Sequence, residues 1–377
     1  MLRRQLLPTA ALLVLGLTVL PGIAADEMAP VKGDAATYQQ MVDRAIRFLQ
    51  TKGQAPDGSY AAQVGPGVTA LVTTGILRHG RSPDDPLVAK GLKYLEGFVR
   101  PDGGIYEKDN FYRNYETSLA LLCFAEANRD GRYDKLIANA DRFLKGIQWD
   151  EDEGHQLSSP NYGGAGYGQD KRPDLSNTSF LIDALIAAGN GPDDEAVKKA
   201  LIFVSRCQNL ESEHNTTGFA AKNPDGGSYY TCAAGGSSQA GTTPGGGLRS
   251  YGSMTYAGLK SMIYAGVGPD DPRVKAALKW AQAHYGLESN PGLGNDGLYY
   301  YYHVFAKALD ATGLDEIEDA DGVKHDWRRD LIEELARRQR PDGSWVNPSE
   351  RWLEGDPTLV SGYALLALAY CRPDAEK

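Results

Sequence analysis

Two kinds of helical stretch alternate along this chain of 377 residues. One kind carries a single apolar stripe of helical period: Val42, Ala45, Ile46 and Leu49, then Val88, Gly91, Leu92 and Leu95, then Leu136, Ala140, Phe143 and Leu144. The stripe returns at Val197, Ala200, Leu201 and Val204, at Val274, Ala277, Leu278 and Ala281, and at Ile332, Leu335, Ala336 and Gln339. Between these lie stretches that are apolar on nearly every side, over 67–79, 114–127, 176–188, 252–265, 298–312 and 357–371. A helix that is apolar all round must be enclosed by other helices, and one with a single stripe has only one face to bury.

Six of each in strict alternation predict an all-α fold in which six inner helices form a ring wrapped by six outer ones. The punctuation agrees. Asp85, Asp194 and Asp271 each stand at an N-cap just before a stripe, and Pro86 and Pro272 take the first helical position. An open superhelix is the alternative, but it needs polar terminal caps, whereas the apolar ending from Leu359 to Cys371 suits closure onto the first hairpin.

Asp and Glu total 49 against 39 Lys and Arg, a formal charge of −10, which leaves no broad basic face for nucleic acid. Arg3 and Arg4, an apolar run from Leu6 to Ile23 and the small residues Gly22, Ala24 and Ala25 read as a cleaved export signal over 1–25, with a single domain over 26–377. No later stretch is long and apolar enough to span a bilayer. Cys123, Cys207, Cys232 and Cys371 have no metal-type spacing and read as buried apolar residues; in an oxidising compartment a Cys207–Cys232 bridge is open to the chain.

The outer stretches end in a recurring motif. Gln54-Ala55-Pro56-Asp57-Gly58-Ser59-Tyr60 and Gln339-Arg340-Pro341-Asp342-Gly343-Ser344-Trp345 are near-complete copies, with partial ones at Pro101-Asp102-Gly103-Gly104 and Pro224-Asp225-Gly226-Gly227. Asp-Gly makes a tight turn, the amide satisfies free backbone groups at a helix end, and the aromatic covers the junction. The motif resembles the repeat of squalene and oxidosqualene cyclases and of protein prenyltransferase β-subunits. That resemblance implies an α6/α6 toroid with the inner-helix N-termini around an apolar, aromatic-lined cavity for isoprenoid chains.

The chemistry of those families is not carried over intact. Protonating cyclases resemble one another in an Asp-x-Asp-Asp-Thr motif, and the matching stretch here is Asp174-Leu175-Ser176-Asn177-Thr178, with serine where the proton-donating aspartate belongs. A hydroxyl is far too weak an acid to protonate an alkene. Asp319-Ala320-Asp321-Gly322 follows an inner helix and reads as a solvated loop at the opposite rim. The prenyltransferase zinc site matches Tyr251-Gly252-Ser253 and Tyr302-His303, where one ligand of three survives, so neither metal nor other cofactor is expected. The Cys-Gly-Glu-Gln run of complement-like thioester domains does not occur.

In the implied toroid, the cavity mouth gathers Tyr115, Glu116, Asp174, Ser176, Asn177, Arg249, Tyr251, the run Tyr299 to Tyr302, His303 and Asp356. The candidate catalytic residues are His303, with Glu116 or Asp174 as partner. The candidate substrate contacts are Tyr115, Asn177, Tyr251, Tyr299, Tyr300, Tyr302 and Asp356. The expected partner is an isoprenoid or hopanoid-like molecule, with any catalysis running through non-standard residues. Two other readings stay open: a carbohydrate-active lyase or hydrolase using Glu116 and Asp174, and a non-catalytic binding scaffold.

Overall fold

A computed structural model describes residues 33–168 and 172–373; the export signal expected over 1–25 lies outside them. The striped segments form α1 (Ala35–Phe48), α3 (Pro86–Glu96), α5 (Asp134–Lys145), α7 (Glu195–Arg206), α9 (Pro272–Ala283) and α11 (Trp327–Arg338). The all-round apolar segments form α2 (Gly67–Arg78), α4 (Arg113–Ala127), α6 (Leu175–Ala187), α8 (Gly252–Tyr264), α10 (Leu298–Thr312) and α12 (Pro357–Leu368). In α3 only the Leu87, Val88, Gly91, Leu92, Leu95 stripe is buried, whereas α12 is buried at every position from Thr358 to Leu368.

The even-numbered helices pack in sequence from α2 to α12, and α12 packs back on α2. The inner ring is closed. Each outer helix lies on inner ones, and α1 also reaches α11 and α12, so the two ends of the ring meet. This is the α6/α6 toroid. Strand structure among the described residues is a hairpin of β1 (Glu316–Glu318) and β2 (Lys324–Asp326), which follows α10 and carries the exposed Asp319 to Gly322 turn.

Three outer helices start as their sequence predicts. Asp85 accepts from Leu87 N–H, Asp194 from Ala196 and Val197, and Asp271 from Arg273.

What joins one outer helix to the next is the glutamine of the repeated motif. Gln54 Nε2 donates to Gly58 O within its own turn and to Leu87 O at the start of α3. Gln339 does the same to Gly343 O and, across the chain ends, to Met41 O of α1. Two further clamps are Gln148, on Gly163 and Ala196, and Gln208, on Gly226 and Arg273. At the α3 exit Arg100 replaces the amide, and its Nε donates to Tyr106 O.

The turn glycines sit against the following outer helix. Gly343 has φ +92°, and a Cβ there would lie 2.4 Å from Arg44 O; at Gly58, with φ +94°, it would lie 2.2 Å from Lys90 O. The residue after each turn is tied inward: Tyr60 N–H donates to Thr69, Ile105 to Thr117, Ala165 to Thr178, Ser228 to Thr255, and Trp345 to Ser361.

All four cysteines are buried and unbridged, and Cys207 and Cys232 lie close enough for their thiols to interact.

Because Gln339 closes the ring, Gln339→Ala removes both of its amide hydrogen bonds, to Gly343 O and Met41 O, and is expected to lower unfolding stability by about 1–3 kcal/mol. The exposed Gln39→Ala is the control, and a loss in Gln339→Ala no larger than in that variant would contradict the closing role.

Candidate functional site

The inner helices converge on the ring axis, and contacts between helices that are not neighbours in the ring identify the side chains that face it. Tyr300 of α10 reaches past α8 to α6, where its hydroxyl lies 3.1 Å from Ser176 Oγ and its ring 6.1 Å from Phe180. Phe180 meets Tyr115 of α4 at 5.4 Å, and Tyr363 of α12 meets Tyr300 at 5.9 Å and His303 at 6.1 Å. Tyr115, Ser176 and Tyr300 remain partly open to water although helices surround them, which marks a recess rather than a flat surface.

One helical face accounts for the layering. Tyr300, His303 and Lys307 follow at spacings of three and four on α10, so they descend about 10 Å along one side of that helix. The well has aromatic walls above and an ionic floor below.

The floor is a buried triad. Asp183 of α6 accepts from Lys260 of α8 at 2.6 Å and from Lys307 of α10 at 2.7 Å, and the three side chains are 4%, 1% and 5% exposed. Lys260 Nζ also donates to Ser179 O, and the Tyr264 ring lies within 5.7 Å of Lys260 Nζ and 5.4 Å of Lys307 Nζ. Burial pushes the Asp183 carboxyl up, but the two ammonium groups outweigh it and hold the group at about 2. Burial draws Lys260 down to about 8 against the pull of Asp183, and lowers Lys307 for the same reason. At the far rim Arg78 pairs with Glu126 and donates to Tyr370 Oη.

His303 is buried just above this floor, and its Nδ1 has no hydrogen-bond partner. Burial, then the Lys307 charge, press its pKa well below the usual imidazole value, so the ring is neutral. The charged groups acting on it are Lys307, Asp183, Arg78 and Lys260. In place of the expected partnership with Glu116 or Asp174, His303 has the triad beside it, because it lies nearly a turn below Tyr300 and one turn above Lys307 on α10.

Glu116 stands in the first turn of α4 and Asp174 at the N-cap of α6, each held by its own neighbourhood. Glu116 accepts from Glu107 N–H and Asn110 Nδ2, and burial raises it to about 7. Asp174 caps α6, accepting from Asn177 N–H and Nδ2, and burial raises it to about 6. Asn177 thus braces Asp174, and Asp356 caps α12 through Thr358 and Leu359 N–H. Tyr251 occupies the N-cap position of α8 without a side-chain capping bond, close to Tyr300 and Asp174.

The tyrosine run divides. Tyr300 faces the axis, but Tyr299 and Tyr302 turn outward, their rings 5.4 Å apart beside α11, and Tyr302 Oη donates to Leu287 O. Each residue advances 100° around a helix, so a run of four cannot all line one cavity. The expected contact of Tyr299 and Tyr302 with a ligand in the well is therefore corrected. Arg249 likewise bonds Thr242 O in an outer loop rather than joining the mouth.

Sequence reasoning missed Lys260 and Glu354. Lys260 is the lone charged residue in α8, the same signal that marks Asp183 in α6. Glu354, 1% exposed, accepts from Tyr299 and Tyr300 N–H and so caps α10, whose own N-cap is Gly297. It also accepts from Asn347 at 2.6 Å.

Two clefts lie away from the axis. One of about 480 Å³ is lined by Arg100, Asp102, Asn139, Arg142 and Phe143, and one of about 260 Å³ by Asn223, Asp225, Arg249, Trp280 and His284. Both sit at the exits of outer helices, where the repeated turns leave grooves. Neither holds the buried charges or the unpartnered imidazole found on the axis.

A sequence profile of the squalene-hopene cyclase C-terminal domain matches residues 64–224. Over that segment the chain is similar to squalene-hopene cyclases. The matched segment runs from α2 past α7 and includes Glu116, Asp174, Phe180 and Asp183. Comparison with curated protein sequences gives no significant match. Among solved structures, a polysaccharide lyase aligns over 89% of this chain and 97% of its own at 10% identity, with a TM-score of 0.52. A protein from Actinoplanes aligns over 89% and 100% at 16% identity, and a family 88 glycosyl hydrolase from Bacteroides vulgatus over 89% and 98% at 11%, both with TM-scores of 0.52. At these identities the likeness is one of fold, and the helical toroid is shared by proteins of different chemistry.

Two predictions follow from the charges. Glu116, raised from 4.5 to about 7, contributes stability that is full below pH 4.5 and is lost as the pH rises through 7. Chemical denaturation across that window should show up to about 3 kcal/mol of decline that is absent in Glu116→Gln; parallel profiles would refute it. Asp183→Ala strands two buried ammonium groups and is expected to cost about 3–5 kcal/mol. Addition of Lys260→Met and Lys307→Met to that variant should restore most of the loss.

Proposed function

We propose that this chain binds an isoprenoid or other polycyclic apolar molecule in the axial well. The observation that carries the reading is the convergence of Tyr115, Phe180, Tyr300 and Tyr363, from four inner helices, on one partly water-accessible recess. Such walls offer large apolar area and π faces to a slender hydrocarbon. The resemblance to terpenoid cyclases supports the same ligand class.

The acids of the mouth favour binding over alkene protonation. Burial makes Asp174 and Glu116 weaker acids than free carboxyls, whereas an unactivated double bond demands a stronger one. What they suit is proton exchange between oxygen atoms near neutral pH. That observation keeps a second reading, a lyase or hydrolase acting on a glycan, with Glu116 and Asp174 as its carboxyl pair. We also propose export, on the leader-like sequence over 1–25; N-terminal sequencing of the secreted protein should then begin after Ala25.

Equilibrium binding of radiolabelled geranylgeraniol and of a hopanoid tests the main reading. Saturable binding is expected, weakened at least tenfold by Tyr300→Ala. Failure of the folded protein to bind either would overturn it, and reducing-end release from glycans that disappears in Glu116→Gln would establish the second reading in its place.

A further inference from the structure

We infer that the ligand of the axial well carries an anionic head, a carboxylate in the first instance, seated between His303 Nδ1 and Lys307 Nζ with its apolar tail running up between Tyr300, Phe180 and Tyr363. This rests on the binding reading above and specifies the ligand's chemistry.

The floor is one negative charge short. Asp183 is the single carboxylate shared by Lys260 and Lys307, and all three are enclosed. The nearby Arg78 does not add to this excess of positive charge, since it is matched by Glu126. A buried ion without a counter-charge is costly, and burial here already lowers the proton affinity of both lysines. A ligand anion restores neutrality without any rearrangement of the triad.

The second observation is independent of charge. His303 Nδ1 is a buried polar atom that lacks a partner in a protein whose buried polar groups are mostly satisfied. It lies one helical turn from Lys307 on the same face of α10, so a group placed between them meets an N–H and an ammonium together. In the Nδ1–H tautomer a neutral His303 donates, as a carboxylate requires. Lys307 has donors to spare: its Nζ carries three N–H groups and bonds Asp183 Oδ2 with one. Lys260 by contrast is already engaged by Ser179 O and Asp183 Oδ1. The tail is placed by the same helix face, because Tyr300 lies three residues above His303, with Tyr363 in ring contact with both.

The test compares two probes that share a tail, geranylgeranoic acid and geranylgeraniol, on the full chain at pH 7. The acid is expected to bind at least tenfold more tightly than the alcohol. Lys307→Met, which leaves Asp183 and Lys260 as a balanced pair, should erase that preference while keeping alcohol binding, and His303→Phe should reduce it. In the wild-type protein the carboxyl-13C resonance of the bound acid should stay at its ionised position to lower pH than that of the free acid. Equal affinity for the two probes, or a preference that survives Lys307→Met, would overturn the anionic head and leave the binding reading standing. Binding of neither probe would overturn both.

Discussion

A primary amide has two N–H groups, and at four exits of the outer ring both are used on carbonyls of different segments: one in the turn just completed, one in the next outer helix. Each clamp therefore sets the position of one repeat from the last. The final clamp differs only in reach, since Gln339 and Met41 are 298 residues apart whereas Gln54 and Leu87 are 33 apart. Loop closure grows only with the logarithm of length, so that difference costs about 2 kcal/mol. It is offset by the α12 to α2 and α1 to α11 contacts that form when the ends meet. A closed ring is within reach of the same weak interaction that builds its parts.

Closure fixes the problem that the interior must solve. Six helices that are apolar all round surround an axis where side chains from different helices arrive together. There Asp183, Lys260 and Lys307 tie α6, α8 and α10 to one another. A rotation of any one of these helices by a single residue would turn its charge by 100° into an apolar interface. The triad thus couples the orientation of three helices, and with it the direction in which Tyr300, Phe180 and His303 point.

The helices and their order were legible because burial on one face and burial on all faces leave different periodicities. The clamps were legible only where amide and glycine stand close in sequence, as in Gln54 to Gly58 and Gln339 to Gly343. Between Gln148 and Gly163 the chain makes a long excursion through Trp149 and His155 before returning to the same geometry, and no local pattern records that return. Tyr115, Asp174, Tyr251 and Tyr300 were legible as residues of inner-helix starts. The directions of Tyr299 and Tyr302 were not, since composition counts tyrosines but not their angle. Glu354 was out of reach for another reason: it caps α10 from a loop more than fifty residues downstream, so its role is a tertiary fact.

Structural and chemical residues occupy different places in this molecule. The motif that carries the resemblance to cyclases lies at the exits of outer helices, among backbone carbonyls, while the residues that would meet a ligand lie on the axis. Substitutions at Ser176 or Lys307 leave every clamp untouched, and substitutions in a clamp do not alter the acids of the mouth. A toroid of this kind can therefore keep its repeat signature while the chemistry at its centre changes. Asp174 shows the consequence at one residue. It still caps its inner helix, and the amide N–H of Asn177 still favours its ionised form, yet without a second aspartate or a strong positive neighbour, burial prevails and the acid is weakened. A carboxyl weakened in this way still caps a helix but is a poorer proton donor to an alkene, and the groups below it are aromatic side chains over the Asp183, Lys260 and Lys307 triad.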